Sequence, residues 1–464
     1  MVMSSNRVQG AARSPGLSYQ ELLDSDTHEV PAVLRLESPR FLGSNDISID
    51  RYISREWHER EKAKLWSRVW QMVCREEEIP EIGDHHVYTI ATSSYLVVRS
   101  AADEINAYPN SCLHRGRQLK DFDGRCAELR CPFHGFAWEL DGNLKDVPAQ
   151  WDFDHVTAEE FRLPRCQVGT WGGFVFINPD PDAEPLHEFL GELIEQFDHW
   201  NLANRYKQLH VAKIVAANWK VAQEAFCEAF HVNSTHPQVM AYLADTNSQV
   251  DVWENFARVI TAGGSASPLL TWTPSQDEMM RAMLDVREDQ QSPLPVSDDQ
   301  SMRALAAAAS RERWRSAAGD WVDQLSDAEM MDSIDYTVFP NLHPWGAFNR
   351  IVYRFRPNGD DHRTAIMEVI FLAPYTGERP PPAPVRWLTD DETFTAVPEL
   401  GMLAKVFNQD LVNMPRVQTG LESTRKPGFT LANYQESKIR QFHHLLEQRM
   451  GLEPGQTVKD AGLA

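Results

Sequence analysis

Two short stretches of the sequence each pair one cysteine with one histidine. Cys112 and His114 lie in NSCLHRGRQL, and Cys131 and His134 lie in RCPFHGF. Thiolates and imidazoles bind transition metals, and zinc accepts both. Zinc modules usually pair two cysteines within one loop, whereas here each loop supplies one thiolate and one imidazole. A [2Fe–2S] cluster with two cysteines on one iron and two histidines on the other uses that mixture.

A second group of candidate ligands lies in NWKVAQEAFCEAFHVNSTHP, residues 218–237. The initial asparagine and the apolar residues that follow it predict a helix on which Glu224, Glu228 and His231 share one face. Taken alone, these three residues are more typical of a solvated polar face. His236 precedes a proline, which disfavours helical geometry, so we expect the helix to unwind there and His236 to turn toward His231. Two histidines on a bent helix would form half of a metal site.

The carboxylate that would complete this site is predicted in residues 401–423. An apolar stripe at helical spacing is formed by Leu403, Phe407 and Met414. Asp410 lies on the same face as that stripe. A carboxylate directed into an apolar core is costly unless it is paired or bound to a cation. A salt bridge to Arg416 or Arg350 is the alternative to metal binding. Together with the two histidines, Asp410 favours the facial triad of non-haem Fe(II) enzymes.

The elements around the first pair of loops have the pattern of a small β domain. HHVYTIATSSYLVVRS predicts two strands around a polar turn, and FAWELDGNL predicts a hairpin that turns at Asp141 and Gly142. GTWGGFVFINPDPD predicts a strand that ends at a Pro/Asp breaker near residues 179–184. Upstream, residues 50–66 predict an amphipathic helix. The breaker is therefore the first predicted domain boundary.

Beyond the breaker, helices and strands alternate in a second predicted domain at 181–464. PLHEFLGELIEQFDHW predicts a helix, and the charged, alanine-rich residues 274–330 predict exposed helices. NRIVYRFRPNGDDHRTAIMEVIFLAP predicts a hairpin that turns at Asn358 and Gly359.

Composition excludes several classes of protein. At 464 residues, with 42% hydrophobic and 24% charged residues, the chain is an ordinary globular protein of about two domains. It contains no run of about 18 apolar residues, so no transmembrane helix is expected. The net charge of −22 argues against binding to nucleic acid or to an anionic membrane surface. Six cysteines in so long a chain indicate no disulfide framework, and we expect a reducing cytoplasm.

The pattern C-x-H-x16-C-x-x-H resembles the Rieske iron–sulfur motif. Respiratory Rieske subunits carry two further cysteines, at positions where this chain has Arg117 and Phe133. From about residue 48 to 440, the chain resembles the oxygenase α-subunit of the Rieske non-haem iron oxygenases, also called aromatic-ring-hydroxylating oxygenases. The "NWK…E…H…H" stretch of that family is matched by Asn218, Trp219, Lys220, Glu224, His231 and His236. Its "D…Q.GL.S" stretch is matched by Asp410, Gln418, Gly420, Leu421 and Ser423.

The resemblance implies an α+β fold and two iron cofactors. After an N-terminal arm at 1–47, a β-rich Rieske [2Fe–2S] domain at 48–180 would be followed by a helix-grip catalytic domain at 181–464, in which an antiparallel sheet curls around a long helix. One cluster iron would be held by the two cysteines of the loops and the other by their two histidines. A mononuclear Fe(II) would be held by His231, His236 and Asp410. The functional unit would be a homotrimer, with or without a small β-subunit.

The resemblance also assigns a catalytic role to Glu228. The carboxylate at this position would bridge His134 of one chain and His231 of its neighbour, and so connect the two metal centres. Many relatives have an aspartate here, and the extra methylene of glutamate lengthens the reach. Many dioxygenases also have an asparagine where this chain has Ala225. Both departures separate the chain from the naphthalene-type enzymes.

The activity implied by the resemblance is that of an oxidoreductase, the terminal oxygenase of a multicomponent system. It would use O2 and electrons from NAD(P)H to cis-dihydroxylate, monooxygenate or dealkylate a small hydrophobic, aromatic substrate, as in aromatic hydrocarbon catabolism. The chain has no dinucleotide-binding loop, so a separate reductase, with or without a ferredoxin, would deliver the electrons. The alternatives are a Rieske electron-transfer or redox-sensing protein without oxygenase activity, and a zinc-bound scaffold. Residues predicted to line the substrate cavity are Phe226, Phe230, Val232, Leu243, Trp253, Phe339, Leu342, Trp345, Phe348 and Ile351.

Overall fold

The computed structural model describes residues 13–287, 289–297 and 299–453. Its strands are β1 (Ile47–Ser48), β2 (Gln71–Arg75), β3 (Asp84–Ile90), β4 (Ser93–Ala101), β5 (Glu104–Pro109), β6 (Gly124–Arg125), β7 (Leu129–Arg130), β8 (Ala137–Trp138), β9 (Leu144–Asp146), β10 (Gln167–Trp171), β11 (Phe174–Asn178), β12 (Arg205–Val215), β13 (Gln249–Val252), β14 (Phe256–Thr261), β15 (Ser333–Val338), β16 (Leu342–Pro344), β17 (Ile351–Asn358), β18 (Asp361–Pro374), β19 (Val385–Leu388) and β20 (Gly428–Phe429).

The α-helices are α1 (Tyr19–Leu23), α2 (Ala32–Arg35), α3 (Asp50–Ile53), α4 (Arg55–Arg60), α5 (Leu186–Leu190), α6 (Leu193–Asp198), α7 (Trp219–Glu224), α8 (Val232–Thr235), α9 (Gln276–Met283), α10 (Met302–Ala318), α11 (Asp327–Met331), α12 (Leu403–Ser423) and α13 (Ser437–Met450). A π-helical turn, Glu61–Leu65, continues α4. Among the described helices, none combines the length and the apolar character needed to cross a bilayer.

Three small sheets build the N-terminal part of the molecule. Their strand orders are β5-β4-β3-β6, β10-β11-β2 and β7-β8-β9. The strands predicted on either side of the polar turn near residue 92 are β3 and β4, which pair antiparallel. The predicted hairpin is formed by β8 and β9, and Gly142 in its turn has φ of +85°. The loop that contains Cys112 follows β5, and the loop that contains Cys131 connects β7 to β8.

One eight-stranded sheet forms the framework of the C-terminal part. Its strand order is β13-β14-β15-β16-β17-β18-β12-β19, and every neighbouring pair is antiparallel except β12 with β19. The predicted hairpin around Asn358 and Gly359 joins β17 to β18. Helix α7 packs on these two strands, and the 21-residue helix α12 packs on α7 and β12. A sheet with a long helix against it agrees with the expected α+β fold of a β-rich domain followed by a helix-grip domain.

The prediction of one helical face for Glu224, Glu228 and His231 is wrong. Helix α7 ends at Glu224, the chain then bends, and helical structure resumes only in α8. Hydrogen bonds from Tyr52 hold Glu224 against another part of the protein. These tertiary contacts end the helix where local sequence periodicity would have continued it.

The predicted helix at 50–66 is divided into α3, α4 and the π-helical turn. Ser54 accounts for the division, because its hydroxyl accepts a hydrogen bond from the Trp57 amide and so begins a new helix. This segment contacts α7: the indole N–H groups of Trp57 and Trp219 both donate to the carboxylate of Glu61. Residues 50–66 therefore pack on the same core as the C-terminal sheet.

Residues 19–38 also pack on the C-terminal part. The Ser38 amide donates to Asp251 on β13, and the Thr27 amide donates to Asp327 on α11. The described part of the N-terminal arm therefore covers one end of the large sheet.

Candidate metal centres and the adjoining cavity

The two Cys/His loops lie side by side and have the same backbone pattern. In each loop, the amide of the cysteine donates to the carbonyl oxygen five residues further along the chain, at 2.8 Å. The thiols of Cys112 and Cys131 are buried, whereas His134 is exposed. The imidazole rings of His114 and His134 face each other, with centroids 4.7 Å apart. The four predicted cluster ligands therefore converge on one place.

The side chains in these loops fit a [2Fe–2S] cluster. Nδ1 of His114 is buried and has no hydrogen-bond partner among the described residues, a cost that a bound metal would remove. Burial raises the pKa of the Cys112 thiol, so a thiolate there needs a cation beside it. Gly116 and Gly135 have φ of +76° and +83°, a conformation that allows each loop to turn back tightly.

His231, His236 and Asp410 form a second cluster, between the bend after α7 and helix α12. One ligand atom from each residue lies within 4.8 Å of the others. Nε2 of His236 is 3.0 Å, and Nε2 of His231 is 3.7 Å, from Oδ1 of Asp410. The alternative salt bridges to arginine are not observed, because Arg350 donates to Gln208 and Arg416 donates to the backbone of its own helix.

Each histidine of this cluster is oriented by a second side chain. Nδ1 of His231 is 2.8 Å from Oε1 of Glu228, and Nδ1 of His236 is 2.8 Å from Oε1 of Gln409. These acceptors place the proton of each ring on Nδ1 and direct the lone pair of Nε2 toward Asp410. Two such imidazoles and one carboxylate fit a divalent iron.

The charges around His231 attract a cation. Burial acts to lower the pKa of His231, but the hydrogen bond and charge of Glu228, with the charge of Asp410, outweigh it, so the pKa is raised. Glu228 also accepts a hydrogen bond from the His231 amide at 2.9 Å, which fixes the carboxylate against the bend of the chain. Among the described residues, no hydrogen bond joins Glu228 to His134 of the same chain.

A cavity of about 230 Å³ adjoins the His231, His236 and Asp410 cluster. Its apolar lining includes Ala225, Phe226, Val232, Val239, Leu243, Trp345, Tyr353, Leu403 and Phe407. Its polar lining, apart from the cluster itself, includes Glu228, Tyr242, Thr261, Ser333 and Asp335. Four of the ten predicted lining residues are correct, namely Phe226, Val232, Leu243 and Trp345. A mainly apolar cavity beside a metal cluster suits a hydrophobic substrate.

The other six predicted lining residues lie elsewhere. Phe230 is 45% exposed, on the outer side of the bend. The remaining five are buried away from the cavity: Trp253, Phe339, Leu342, Phe348 and Ile351. Sequence reasoning also missed Gln409 and Asp335. The position of Gln409 next to Asp410 is the only local signal for it, and no sequence signal links Asp335 to the cavity.

Glu224 lies in a separate buried cluster. The Tyr52 hydroxyl donates to its two carboxylate oxygens at 2.8 and 2.9 Å, and Nε2 of His443 is 2.9 Å from Oε1. Burial raises the pKa of Glu224 to about 8, against the opposing effects of Tyr52 and Lys220. Burial and nearby cations hold the pKa of His443 well below its ordinary value. Glu224 therefore joins α3, α7 and α13 and is not part of the iron cluster.

Glu224→Gln is expected to flatten part of the pH dependence of stability. The ordinary pKa of the carboxyl, 4.5, applies to the unfolded chain, and the folded value is about 8, so folding takes up a proton between these values. The stabilisation is complete below pH 4.5 and is lost as the pH rises through 8. Glutamine cannot ionise, so the variant does not lose this stabilisation at high pH. The Tm of the variant minus the Tm of wild type should therefore increase as the pH rises from 5 to 8.5. A Tm difference that stays constant over this range in thermal unfolding would contradict the assignment.

Comparison with protein families identifies both parts of the chain. The family described as "Rieske [2Fe-2S] domain" matches residues 69–158, and the family described as "Ring hydroxylating alpha subunit (catalytic domain)" matches residues 197–452. In this family, the first domain carries a [2Fe–2S] cluster and the second binds a mononuclear iron.

The chain is 29% identical over 203 residues to the glycine betaine monooxygenase oxygenase subunit of Pseudomonas aeruginosa, covering 43% of this chain and 47% of the relative. It is 30% identical over 209 residues to the biphenyl 2,3-dioxygenase subunit alpha of Rhodococcus jostii, covering 44% and 45%. The alignments thus span about half the length of the curated relatives.

A variant of naphthalene 1,2-dioxygenase bound to phenanthrene has the same fold, with a TM-score of 0.61 at 17% identity, over 92% of this chain and 98% of that one. The second family match alone covers more than half of the 464 residues. The family match, the order of the two domains and the shared fold agree with one another. The chain therefore belongs to the ring-hydroxylating α-subunit family, with a Rieske domain ahead of its catalytic domain.

Proposed function

We propose that this chain is the terminal oxygenase component of a Rieske-type system. It uses O2 and electrons from NAD(P)H, delivered by a separate reductase with or without a ferredoxin, to hydroxylate a hydrophobic, aromatic substrate. The observation that carries this proposal is the cluster of His231, His236 and Asp410 at the wall of a mainly apolar cavity that contains five aromatic side chains, Phe226, Tyr242, Trp345, Tyr353 and Phe407. Hydroxylation is proposed as either cis-dihydroxylation or monooxygenation, since the relatives include subunits of both kinds.

Roles for the individual residues follow from the chemistry of their side chains. The two cysteines and two histidines of the N-terminal loops are proposed to hold the Rieske cluster, and His231, His236 and Asp410 to hold the mononuclear iron. When bound, the cluster supplies an electron and the iron activates O2. Glu228 and Gln409 accept hydrogen bonds from Nδ1 of His231 and of His236, respectively, and so keep the imidazole rings in a fixed orientation. The apolar walls exclude water and position the ring of the substrate.

Assembly as a homotrimer, with or without a small β-subunit, is part of the proposal. His134 is exposed and His231 is one-quarter exposed, so both candidate centres are accessible to another chain. Glu228 already contacts His231, and it is proposed to bridge to His134 of the adjacent subunit. Domain limits along the sequence are proposed at 1–47, 48–180 and 181–464, with residues 50–66 of the second segment packed on the core of the third. A cytoplasmic location is proposed from the six cysteines, all of which are free thiols.

The alternative of an electron carrier with an inert second domain is not supported. That domain matches a catalytic-domain family over residues 197–452 and contains a metal-ligand cluster beside a cavity. The zinc-scaffold alternative is disfavoured in the same way by the Rieske match over residues 69–158.

Metal analysis combined with an oxygen-consumption screen tests the proposed function. The full chain is expected to contain three irons and two acid-labile sulfides, whereas a carrier would contain two irons and a zinc scaffold none. With a surrogate reductase and NAD(P)H, at least one compound in an aromatic panel should stimulate oxygen uptake and give a hydroxylated product. Three irons without any hydroxylated product across the panel would contradict the proposal of an aromatic substrate.

A further inference from the structure

One buried carboxylate in the cavity is not part of the iron cluster. Asp335 and Ser333 lie two residues apart on β15, so their side chains are on one face of the sheet. Their antiparallel partners on β14 are Val259 and Thr261. All four line the cavity. The alternation of side chains along β15 and its pairing with β14 thus place the Asp335 side chain at the cavity wall.

Only one of the two carboxylate oxygens of Asp335 is engaged. Oδ2 accepts a hydrogen bond from the ammonium group of Lys438. Oδ1 is buried and accepts no hydrogen bond from the described residues. Nδ1 of His343 is 3.9 Å from Oδ1, too far for a hydrogen bond, and is 2.9 Å from the Thr337 hydroxyl. Buried polar atoms in native proteins normally have a partner, and a ligand donor that bonded Oδ1 would supply the one it lacks.

Lys438 already balances the charge of Asp335. The lysine is 1% exposed and also donates to the backbone carbonyl of Asp335. Burial raises the pKa of Asp335 to about 6 and Lys438 opposes this, so the carboxyl is ionised at neutral pH. The pair is therefore neutral overall and offers a ligand a hydrogen-bond acceptor. A quaternary ammonium group has no N–H to donate and would find no net negative charge there.

We propose that Asp335 determines substrate specificity, and that the substrate is an aromatic compound with an N–H or O–H donor that binds Oδ1. An aromatic amine, a phenol and an N–H heterocycle all meet this description. The aromatic side chains of Phe226, Trp345 and Tyr353 would contact the ring of the substrate. The donor would fix which ring edge faces the iron cluster. This inference rests on the proposed function, because it takes the cavity to be the substrate site.

Ligand binding to the oxidised, metal-loaded full-length enzyme tests the inference without turnover. The probes are 1-naphthylamine and 1-methylnaphthalene, which differ in having an amino or a methyl group at one position. Equilibrium dialysis would give the ratio of their Kd values in wild type and in Asp335→Leu/Lys438→Met, which removes both members of the buried pair and leaves neither charge unpaired. The preference for the amine should fall about tenfold or more in this double variant.

Ser333→Ala is the matched control, because it removes a polar group from the same strand and the same cavity face. It should leave the ratio of the two Kd values unchanged. An unchanged ratio in the double variant would overturn the inference, since a water or a structural role for Asp335 would affect both probes equally. Binding of phenyltrimethylammonium that weakens in the double variant would also overturn it, because the site would then recognise charge.

A crystal structure of wild type with 1-naphthylamine is a second test that needs no variant. The amino nitrogen should lie within about 3.2 Å of Oδ1 of Asp335. A naphthalene ring bound with its nitrogen directed elsewhere would overturn the inference. Binding in the resting enzyme is independent of oxygenase activity, so failure of the specificity inference is distinguishable from failure of the proposed function.

Discussion

Asp410→Ala is expected to abolish turnover and to deplete the mononuclear iron, while the Rieske cluster stays in place. The Nε2 atoms of His231 and His236 converge on Oδ1 of Asp410, at 3.7 and 3.0 Å, as three ligands of one ion would. Loss of a residue that only orients a metal ligand lowers the affinity for the metal by about 10- to 100-fold. Loss of a ligand itself should therefore lower the affinity for iron by more than about a hundredfold. Iron content should fall from three to two per chain, with an unchanged Rieske absorption spectrum.

The matched control for this change is Glu422→Ala. Glu422 is on the same helix as Asp410, and its carboxylate pairs with the guanidinium group of Arg363 near the surface. This variant should keep three irons and its activity, because surface ion pairs contribute little to stability. Normal iron content and activity in Asp410→Ala would remove Asp410 from the proposed triad.

Glu228→Gln is expected to slow electron transfer from the cluster to the iron by about 10- to 100-fold. The carboxylate now accepts hydrogen bonds at both oxygens from the ring and the amide of His231. Its further lone pairs would accept a hydrogen bond from His134 of the adjacent subunit, whereas an amide nitrogen cannot accept. Both metals and the proposed trimer should be retained. Single-turnover mixing of the fully reduced variant with O2 and substrate measures the rate of cluster reoxidation.

Two other variants make the electron-transfer result specific. Glu224→Gln removes a carboxylate four residues away that contacts Tyr52 and His443, so its cluster should be reoxidised at the wild-type rate. Glu228→Asp keeps the charge and shortens the reach by one methylene, so its rate should lie between those of wild type and Glu228→Gln. Reoxidation of Glu228→Gln at the wild-type rate would exclude the bridge.

Motifs with fixed spacing were the part of the site that could be predicted from sequence. The pairs Cys112/His114 and Cys131/His134 each lie in one short loop, so their separation along the chain limits their separation in space. Asp410 was predictable because a buried face of a regular helix follows from apolar spacing alone. The structure brings all of these residues to the two predicted clusters.

Contacts between distant segments were the part that could not be predicted. Helix α7 ends at Glu224 because of Tyr52, a residue 172 positions earlier in the chain. Local periodicity has no information about such a partner, so the expected shared face of Glu224 and Glu228 was wrong. The cavity wall is likewise built by contacts between segments that are distant in sequence. Asp335 reaches it through the pairing of β14 with β15, which depends on the whole sheet.

The two sides of the iron cluster are far apart in sequence, and this separation affects folding as well as chemistry. His236 and Gln409, which are in contact, are 173 positions apart. An ion held by the histidines and by Asp410 would act as a cross-link that closes a loop of about this length. Because these ligands come together only in the folded chain, the ion would be released on unfolding and would stabilise the fold by its binding free energy. The resistance of the catalytic domain to heat and denaturant would then vary with free iron, and a chelator would act on it as a denaturant.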